Sequence, residues 1–226
     1  HRAGLRIGFA TGRGGSAGEE LRKVLPADML SSIPIGYYNG GHIRMADVDV
    51  DEDRAPANTA ITETATFLNE RSELFLCHKF KHREVQITVE MDKLRHPSRF
   101  PVDLEGCAPF AAGRVRVMGS GHSYDIVPTA SSKLSVVNII KADLPVGVEV
   151  LCCGDSGSRP GNDHALLSHP YGISVGEVCG AANGCWSLFG SGPMGPKALL
   201  TILCALVPSN FGRARLDVAS LGLDMR

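Results

Sequence analysis

The sequence predicts an α/β fold, and three observations lead to this prediction. Short apolar segments with the pattern of buried strands alternate with segments whose apolar residues recur at helical spacing. Glycine-rich or polar loops follow several of these strands. A stretch in the middle of the chain instead alternates apolar and polar residues. The first two features are typical of a mainly parallel, Rossmann-like sheet, and the third predicts an inserted α+β module.

The predicted core comprises residues 1–41 and 113–226, and its elements follow from apolar periodicity and turn residues. Before the insert, the pattern predicts a strand over residues 5–10, a glycine-rich turn over 11–18, a helix over 19–25 and a strand over 33–38. After the insert, it predicts strands over residues 114–118, 124–127, 147–153 and 171–175, a further short strand over 185–189, and helices over 131–142 and 194–206. Such alternation is what a wound parallel sheet requires.

The predicted insert comprises residues 42–112. Asn58 is expected to cap a helix over residues 59–71, whose apolar residues are spaced for one buried face. Strands are expected over residues 73–80 and 84–91. Strict alternation of apolar and polar residues in the second strand predicts a sheet with one face on a core and the other in water.

The composition excludes several classes of function. The chain has 226 residues and a net charge of −1 at pH 7, so no overall field favours nucleic acid or an anionic membrane. No apolar stretch reaches the roughly 18 residues that a membrane-spanning helix needs. The seven cysteines include no pair at Cys-x-x-Cys spacing, which favours small buried thiols in a reducing compartment. We therefore expect a cytoplasmic protein with no nucleic-acid or membrane partner.

The acidic loop after the strand over residues 147–153 is the most informative feature of the chain. It carries Asp155, Asn162 and Asp163 among several glycines. Open α/β sheets bind their ligands at the carboxyl ends of their strands. Carboxylate oxygens at that edge suit Mg²⁺, which keeps several waters that a phosphate can replace. The sequence therefore predicts phosphate chemistry with Mg²⁺ as the cofactor.

Two further polar groups complement this loop. Thr11 ends the first predicted strand and opens the glycine-rich turn, so its hydroxyl, the turn amides and a helix N-terminus can hold phosphate oxygens. Lys133, near the start of the helix over residues 131–142, supplies a compact positive charge for phosphoryl oxygens. We expect these groups and the acidic loop to meet in a single phosphoryl pocket.

These segments resemble three motifs of the haloacid dehalogenase (HAD) superfamily. Residues 9–13, a strand that ends in Thr11, resemble the second motif, and residues 128–133, which end in Lys133, resemble the third. Residues 154–163 resemble the fourth motif, with Ser-Arg-Pro-Gly inserted in the acidic loop. The order of the motifs, and the insert between the second and third, are similar to those of the subgroup that includes sucrose-phosphate phosphatases.

The resemblance implies a Mg²⁺-dependent phosphomonoester hydrolase that works through an aspartyl-phosphate. Its substrate is expected to be a small phosphorylated metabolite, such as a sugar phosphate, and its insert is expected to be a cap that selects the substrate and excludes water. The implied site residues, by role, are Thr11, Lys133 and Asp155 for catalysis, Gly12, Arg13, Asn39 and Asn162 for substrate binding, and Asp155 with Asp163 for Mg²⁺.

The family's Asp-x-Asp motif, which contains the nucleophile, is expected on a strand about one helix before Leu5. The sequence carries Asp-x-Asp only in the acidic run over residues 47–53, which lacks a preceding apolar strand and is interpreted as a solvated turn. We therefore expect the first core strand and the nucleophile to come from a preceding segment or from another chain. The alternative is a degenerate HAD-like domain that binds a ligand or partner without turnover.

A dinucleotide-binding domain is a less favoured alternative. Gly12, Gly14 and Gly18 after a strand resemble a loosened dinucleotide fingerprint, but the next strand ends without the acidic residue that would hold a ribose. Single residues also have plain structural interpretations: Thr11 as a helix cap, Lys133 as a solvated lysine, Asn39 as a tight-turn residue, His122 as a surface histidine, Asn162 as an N-cap and Asp163 as a first-turn acid.

Overall fold

The computed structural model describes residues 4–72, 80–182, 184–190, 192, 194–209 and 213–222. The described strands are β1 (Phe9–Ala10), β2 (Pro34–Tyr37), β3 (His42–Met45), β4 (Lys81–Arg83), β5 (Gln86–Glu90), β6 (Val115–Gly119), β7 (Ser123–Pro128), β8 (Cys152–Ser156), β9 (Gly172–Glu177), β10 (Leu206–Ser209) and β11 (Arg213–Leu216). The described α-helices are α1 (Ser16–Val24), α2 (Ala27–Leu30), α3 (Thr59–Glu70), α4 (Phe100–Asp103), α5 (Ala108–Ala111), α6 (Leu134–Ala142), α7 (His164–Leu167) and α8 (Gly195–Cys204).

Parallel strand pairs form the core, as the sequence predicts. β1 pairs with β2 in parallel, with Phe9 opposite Ile35, and β8 pairs with β9 in parallel, with Cys152 opposite Gly172. Within the described residues, β1 has only β2 as a neighbour and β8 has only β9. β1 and β8 therefore each present an edge without a strand partner in the described part of the chain.

Helices cover both faces of β2. Ile35 and Tyr37 are fully buried in a cluster with residues of α1. Gly36 points to the other face, because side chains alternate along a strand, and a Cβ there would lie 2.6 Å from a methyl group of Val136 in α6. Glycine thus lets α6 pack directly on the strand, which places the start of that helix next to the loop that follows β2.

β3 extends the core sheet beyond the predicted boundary at residue 42. It pairs antiparallel with β2, with Pro34 opposite Met45 and Tyr37 opposite His42. A tight turn over residues 38–41 joins the two strands. Residues 42–45 were predicted to open the insert, and their hydrogen bonds place them in the core sheet instead.

The insert is built on an antiparallel sheet in the order β4-β5-β7-β6. β7 pairs with β5, with Ile87 opposite Ile126, and β6 pairs with β7, with Val117 opposite Ile126. We predicted β6 and β7 as core strands, so that expectation is wrong and the insert continues to Pro128. Alternation along a strand indicates which face is buried, but it does not indicate which strand lies alongside.

The insert has its own apolar core between α3 and the sheet. Ile61 and Leu68 of α3 are fully buried against Ile87 and Ile126 of the sheet. The predicted cap of α3 is present, since the Asn58 side chain accepts hydrogen bonds from the two backbone amides of residues 60 and 61 at 3.0 and 3.3 Å. The insert therefore needs no partner to bury its apolar helix face.

Several elements differ in length or position from their predictions. The first strand is limited to β1, the strand predicted over residues 147–153 is displaced toward the acidic loop as β8, and residues 185–189 contribute a single bridge from Trp186 to Ile173. Apart from Phe80, the strand predicted over residues 73–80 lies outside the described residues. α2 and the hairpin of β10 and β11 were not predicted.

No helix among the described residues is long and apolar enough to cross a membrane. Their six cysteines carry free thiols, and Cys77 lies outside the described residues. Burial raises the pKa of Cys152 to about 12 and that of Cys153 to about 11, so both thiols stay protonated and unreactive at neutral pH.

The cap of α3 gives a test of the insert's stability. Asn58→Ala removes the acceptor of two helix amides and should lower the free energy of unfolding by about 1 kcal/mol, measured by urea denaturation. Asn138→Ala, at an exposed position of α6, is the matched control and should change stability little. Equal losses in the two variants would contradict the capping role.

Candidate active site

A single large cavity brings most of the predicted site residues together. It has a volume of about 910 Å³ and lies between the insert sheet and the loops that follow β1 and β8. All of the predicted site residues except Asn39 line it, namely Thr11, Gly12, Arg13, Lys133, Asp155, Asn162 and Asp163. The expectation that these groups meet in one pocket therefore agrees with the geometry.

The loop after β1 supplies backbone amides and a hydroxyl. The backbone amide of Thr11 donates to the carbonyl oxygen of Gly36 at 2.8 Å, which continues the pairing of β1 with β2. The Thr11 hydroxyl oxygen accepts a hydrogen bond from the Arg13 amide at 3.0 Å, so its proton remains free for another acceptor. Gly14, Gly15 and Ser16, at the N-terminus of α1, also line the cavity. This end of a helix favours anions.

Lys133 and Asp163 form a buried ion pair across the cavity floor. The Lys133 ammonium nitrogen lies 2.6 Å from one carboxylate oxygen of Asp163, and the two side chains are only 6% and 8% exposed. The other oxygen of Asp163 accepts hydrogen bonds from the backbone amides of Asp155 and Ser156. Burial alone would raise the pKa of Asp163, but the attraction of Lys133 and these donors holds it below its ordinary value.

Lys133 is positioned by backbone contacts in addition to its ion pair with Asp163. Gly40 has φ of +85°, and a Cβ there would collide with the carbonyl oxygen of Ser132. Only glycine combines that backbone conformation with so close an approach. The turn after β2 is therefore pressed against the chain directly before Lys133, which fixes the start of α6 at the cavity.

Asp155 differs from Asp163 in its surroundings. It is exposed at the end of β8 and lines the cavity. Partial loss of solvent, together with the hydrogen bond to Asp163 and the negative charge of Asp163, raises the pKa of Asp155. A cation placed in the cavity beside Asp155 would relieve this repulsion and stabilise the ionised carboxylate.

The donor set fits Mg²⁺ only in part. Within the described residues no cluster of three or more histidine, cysteine, aspartate or glutamate side chains can hold a metal ion. Asp163 was predicted as a second ligand. Its oxygens accept hydrogen bonds from Lys133 and from the backbone amides of Asp155 and Ser156, so in the structure it holds Lys133, and its contact with a metal ion stays a prediction. Asp155 offers a carboxylate at the cavity, which suits Mg²⁺ where waters and a substrate phosphate complete the shell.

The structure places the predicted substrate-binding residues in different surroundings. The guanidinium of Arg13 is paired with Glu20 at 2.6 Å on the exposed rim. Asn162 lies at the cavity wall, whereas Asn39 is fully buried behind it. A direct contact between Asn39 and a substrate was expected, and burial of this side chain prevents that contact.

The polar face of the insert sheet forms the opposite wall, and sequence reasoning assigned none of its residues to the site. Gln86 and Thr88 on β5 and Asp125 on β7 line the cavity, while their neighbours Ile87 and Ile126 face the insert core. Alternation in residues 84–91 was interpreted as a face in open water. A cavity wall and open solvent give the same pattern, so the signal was present but ambiguous. The other cavity-lining residues of the insert are Lys81, Arg83, Ser120, His122 and Ser123.

Asp125 is a buried carboxylate at this wall. Its oxygens accept hydrogen bonds from the Thr88 hydroxyl at 2.7 Å and from the Asn39 amide at 3.0 Å. Burial raises the pKa of Asp125 in spite of these hydrogen bonds and of the positive charge on Lys133. The ionised form of this residue is therefore costly in the folded protein.

No protein-family model and no curated protein matches the chain. Solved structures do match it. The Thermoplasma acidophilum protein 0175 has a TM-score of 0.51 and 21% identity, over 76% of this chain and 70% of its own. The C-terminal domain of trehalose-6-phosphate phosphatase from C. albicans has a TM-score of 0.52 and 13% identity, with the same coverage of 76% and 70%.

A third match carries the name of the family. The phosphatase BT1666 of the haloalkanoate (HAD) enzyme superfamily, from Bacteroides thetaiotaomicron, has a TM-score of 0.50 and 16% identity, over 77% of this chain and 72% of its own. Identities this low show the fold and no more. The chain has the α/β fold of the HAD phosphatases, with an inserted module, and the resemblance stated from the motifs is confirmed at that level.

The two aspartates of the acidic loop give opposite predictions for stability. Asp163→Asn leaves the Lys133 ammonium buried without a counter-charge and should lower the free energy of unfolding by about 3–5 kcal/mol. Asp155→Asn is the matched control in the same loop. It removes a repulsion and should leave stability unchanged or slightly higher. Similar losses in urea denaturation of the two variants would show that the ion pair does not hold the loop.

The raised pKa of Asp125 gives a prediction for pH dependence. A carboxyl whose pKa is higher in the folded than in the unfolded protein destabilises the fold once it ionises. As the pH rises from about 4 through that raised pKa, the wild-type protein should therefore lose stability relative to Asp125→Asn. Urea unfolding at a series of pH values measures this difference, and Asp28→Asn, at an exposed site, is the control. A difference that is constant with pH would refute the prediction.

Proposed function

We propose that this chain belongs to a Mg²⁺-dependent phosphomonoester hydrolase that acts on a small phosphorylated metabolite. The observation that carries the proposal is the meeting of Thr11, Lys133 and Asp155 in one cavity. A hydroxyl donor, a cation and a carboxylate next to a helix N-terminus are the groups that phosphoryl transfer needs. The fold shared with HAD phosphatases supports the same reaction class.

The phosphoryl group of the substrate binds between the loop after β1 and Lys133. The Thr11 hydroxyl and the amides at the start of α1 donate to its oxygens, and the Lys133 ammonium neutralises their charge. Asp163 holds Lys133 in place at 2.6 Å, so its role is to position the cation. Catalysis by such groups comes mainly from fixed charges that need no rearrangement during the reaction.

Asp155 holds Mg²⁺ in this proposal. The bound ion supplies charge neutralisation at the phosphoryl oxygens. Because a site with few carboxylates leaves coordination positions open, waters and phosphate oxygens would complete the shell of the ion. Asn162, at the wall next to Asp155, offers an amide that can contact either the phosphate or a water of the shell.

The nucleophile is an aspartate at the end of a further strand that lies between β1 and β8. Three features support this placement. Each of these two strands has an edge without a partner among the described residues, both strands end at the cavity, and Ile7 and Phe9 beside β1 are 40% and 38% exposed. We expect the strand from a preceding segment of the polypeptide or from another chain, and it would cover this apolar surface.

The insert selects the substrate in this proposal. Its wall of the cavity presents amide, hydroxyl and carboxylate groups from Gln86, Thr88 and Asp125, which suit a body rich in hydroxyl groups, such as a sugar. One matching structure is a trehalose-6-phosphate phosphatase by name, and its substrate is a sugar phosphate. We therefore place sugar phosphates first among the metabolites to be tested.

A non-catalytic HAD-like binding domain is the second candidate. One observation favours it, namely that no strand end in this sequence carries Asp-x-Asp. The dinucleotide-binding alternative has less support, since β2 leads into Tyr38 and Asn39 and places no carboxylate where a ribose would bind.

The decisive experiment uses the full-length polypeptide that includes the expected strand. A panel of phosphorylated metabolites with and without Mg²⁺ should give metal-dependent phosphate release, and Asp155→Ala should lower kcat/KM by about 100-fold or more. Asp28→Ala removes an exposed carboxylate of α2 and should leave turnover unchanged. Unaltered turnover in Asp155→Ala would remove the metal assignment. No turnover of any panel member by the wild-type polypeptide would favour the binding domain.

A further inference from the structure

The turn after β2 is strained and bonded to the phosphate-binding loop. Tyr38, Asn39 and Gly40 have φ of 52°, 57° and 85° in succession. Residues other than glycine rarely adopt this backbone conformation. The amide of Tyr38 donates to the carbonyl of Arg13 at 3.1 Å, and the amide of Asn39 donates to the carbonyl of Thr11 at 2.8 Å. The strained turn therefore lies directly under the loop that begins at Thr11.

The Asn39 side chain continues these contacts into the insert. Its amide nitrogen donates to the Gln86 carbonyl oxygen at 2.9 Å and to an Asp125 oxygen at 3.0 Å. Gln86 in turn donates to the backbone carbonyl of Gly12 at 3.0 Å and to the hydroxyl of Thr88 at 2.9 Å. The Thr88 hydroxyl closes the ring by donating to the other oxygen of Asp125 at 2.7 Å.

We call the four side chains of Asn39, Gln86, Thr88 and Asp125 the polar latch. Their hydrogen bonds form a closed ring that joins the turn after β2 to two strands of the insert. Gln86 links this ring to the loop after β1. Gly12 is part of its fit, because a Cβ at that position would lie 3.0 Å from Asp125 and 3.2 Å from Asn39. The latch contacts the loop at its backbone, through the hydrogen bond from Gln86 to the carbonyl oxygen of Gly12.

The polar latch costs stability, which points to a functional role. The carbonyl oxygen of Asn39 is buried and has no hydrogen-bond partner among the described residues, and such an orphan acceptor is destabilising. No ion pair in the described part of the chain includes Asp125, although its carboxylate is 7% exposed. Polar groups kept at such a cost cluster at functional sites.

We propose that Asn39 and Asp125 are positioning residues that hold the phosphate-binding loop in its working geometry only while the insert is docked on the core. This inference rests on the proposed function for its catalytic consequence. Asn39 acts through its backbone amide, which donates to the carbonyl of Thr11, and through Gln86, which donates to the carbonyl of Gly12, and it makes no contact with the substrate. The loop is therefore shaped by the insert, so that one part of the molecule supplies both the substrate-facing wall and the support of the phosphate site.

The test uses variants that change hydrogen bonding without changing size. Asn39→Asp replaces two donors with acceptors and places a second carboxylate against Asp125. Asp125→Asn in the same chain restores a donor facing an acceptor at that contact. The control is Asn58→Ala, which destabilises the insert but leaves the latch intact, and which should keep the wild-type kcat below its unfolding temperature.

Amide hydrogen exchange gives a readout that is independent of catalysis. In Asn39→Asp the amides of Thr11, Tyr38 and Asp at position 39 should exchange about tenfold faster or more, because the hydrogen bonds of the loop are released. The double variant Asn39→Asp/Asp125→Asn should recover part of the protection, and Asn58→Ala should not change it. Unchanged protection in Asn39→Asp would overturn the proposal.

Kinetics on the full-length polypeptide then separate positioning from substrate selection. In Asn39→Asp, kcat should fall about tenfold or more by the same factor for a small chromogenic phosphomonoester and for a sugar phosphate. A rise in KM for the sugar phosphate alone would overturn the proposal in favour of direct substrate recognition. Faster exchange in a polypeptide without any phosphatase activity would leave the latch in place and refute the proposed function instead.

Discussion

The buried ion pair between Lys133 and Asp163 is the constraint on which the rest of the cavity depends. It joins the start of α6 to the loop after β8, and neither charge is tolerable in that position without the other. Gly154 allows the approach, because a Cβ there would lie 2.6 Å from an oxygen of Asp163. Asp163 is bonded to Lys133 and to two backbone amides, whereas Asp155 is exposed at the cavity, so one interaction gives two neighbouring acids different surroundings.

The insert is tied to both loops that end at the cavity. On one side the polar latch connects it to the carbonyl of Gly12, and on the other the amide of Gly119, at the end of β6, donates to the carbonyl of Pro160 in the acidic loop at 3.0 Å. One face of the insert sheet packs its apolar residues against α3, and the other face presents polar residues to the cavity. A single alternating pattern thus supplies a core for the insert and a wall for the site.

Much of the site was predictable because its residues follow strands directly. Thr11 and Asp155 stand at the ends of apolar segments, and α/β folds bind their ligands at the carboxyl ends of strands, so their meeting could be expected from the sequence. The cap at Asn58 was equally local. That β6 and β7 belong to the sheet of the insert was not predictable, since alternation of apolar and polar residues does not identify a strand's neighbour. The role of Asn39 was missed because the turn signal around it said nothing about the insert residues that its side chain reaches.

The sequence by itself determined the α/β class, the order of the motifs and the residue types that meet at the cavity, because periodicity and turn chemistry act between near neighbours in the chain. Only the tertiary structure decided that Asp163 holds Lys133, that the insert extends to Pro128 and that Asn39 joins the insert to the core. The hydrogen bonds of Asn39 connect residues that are 47 and 86 positions apart. Such contacts depend on how whole sheets are placed, and no local pattern records that placement.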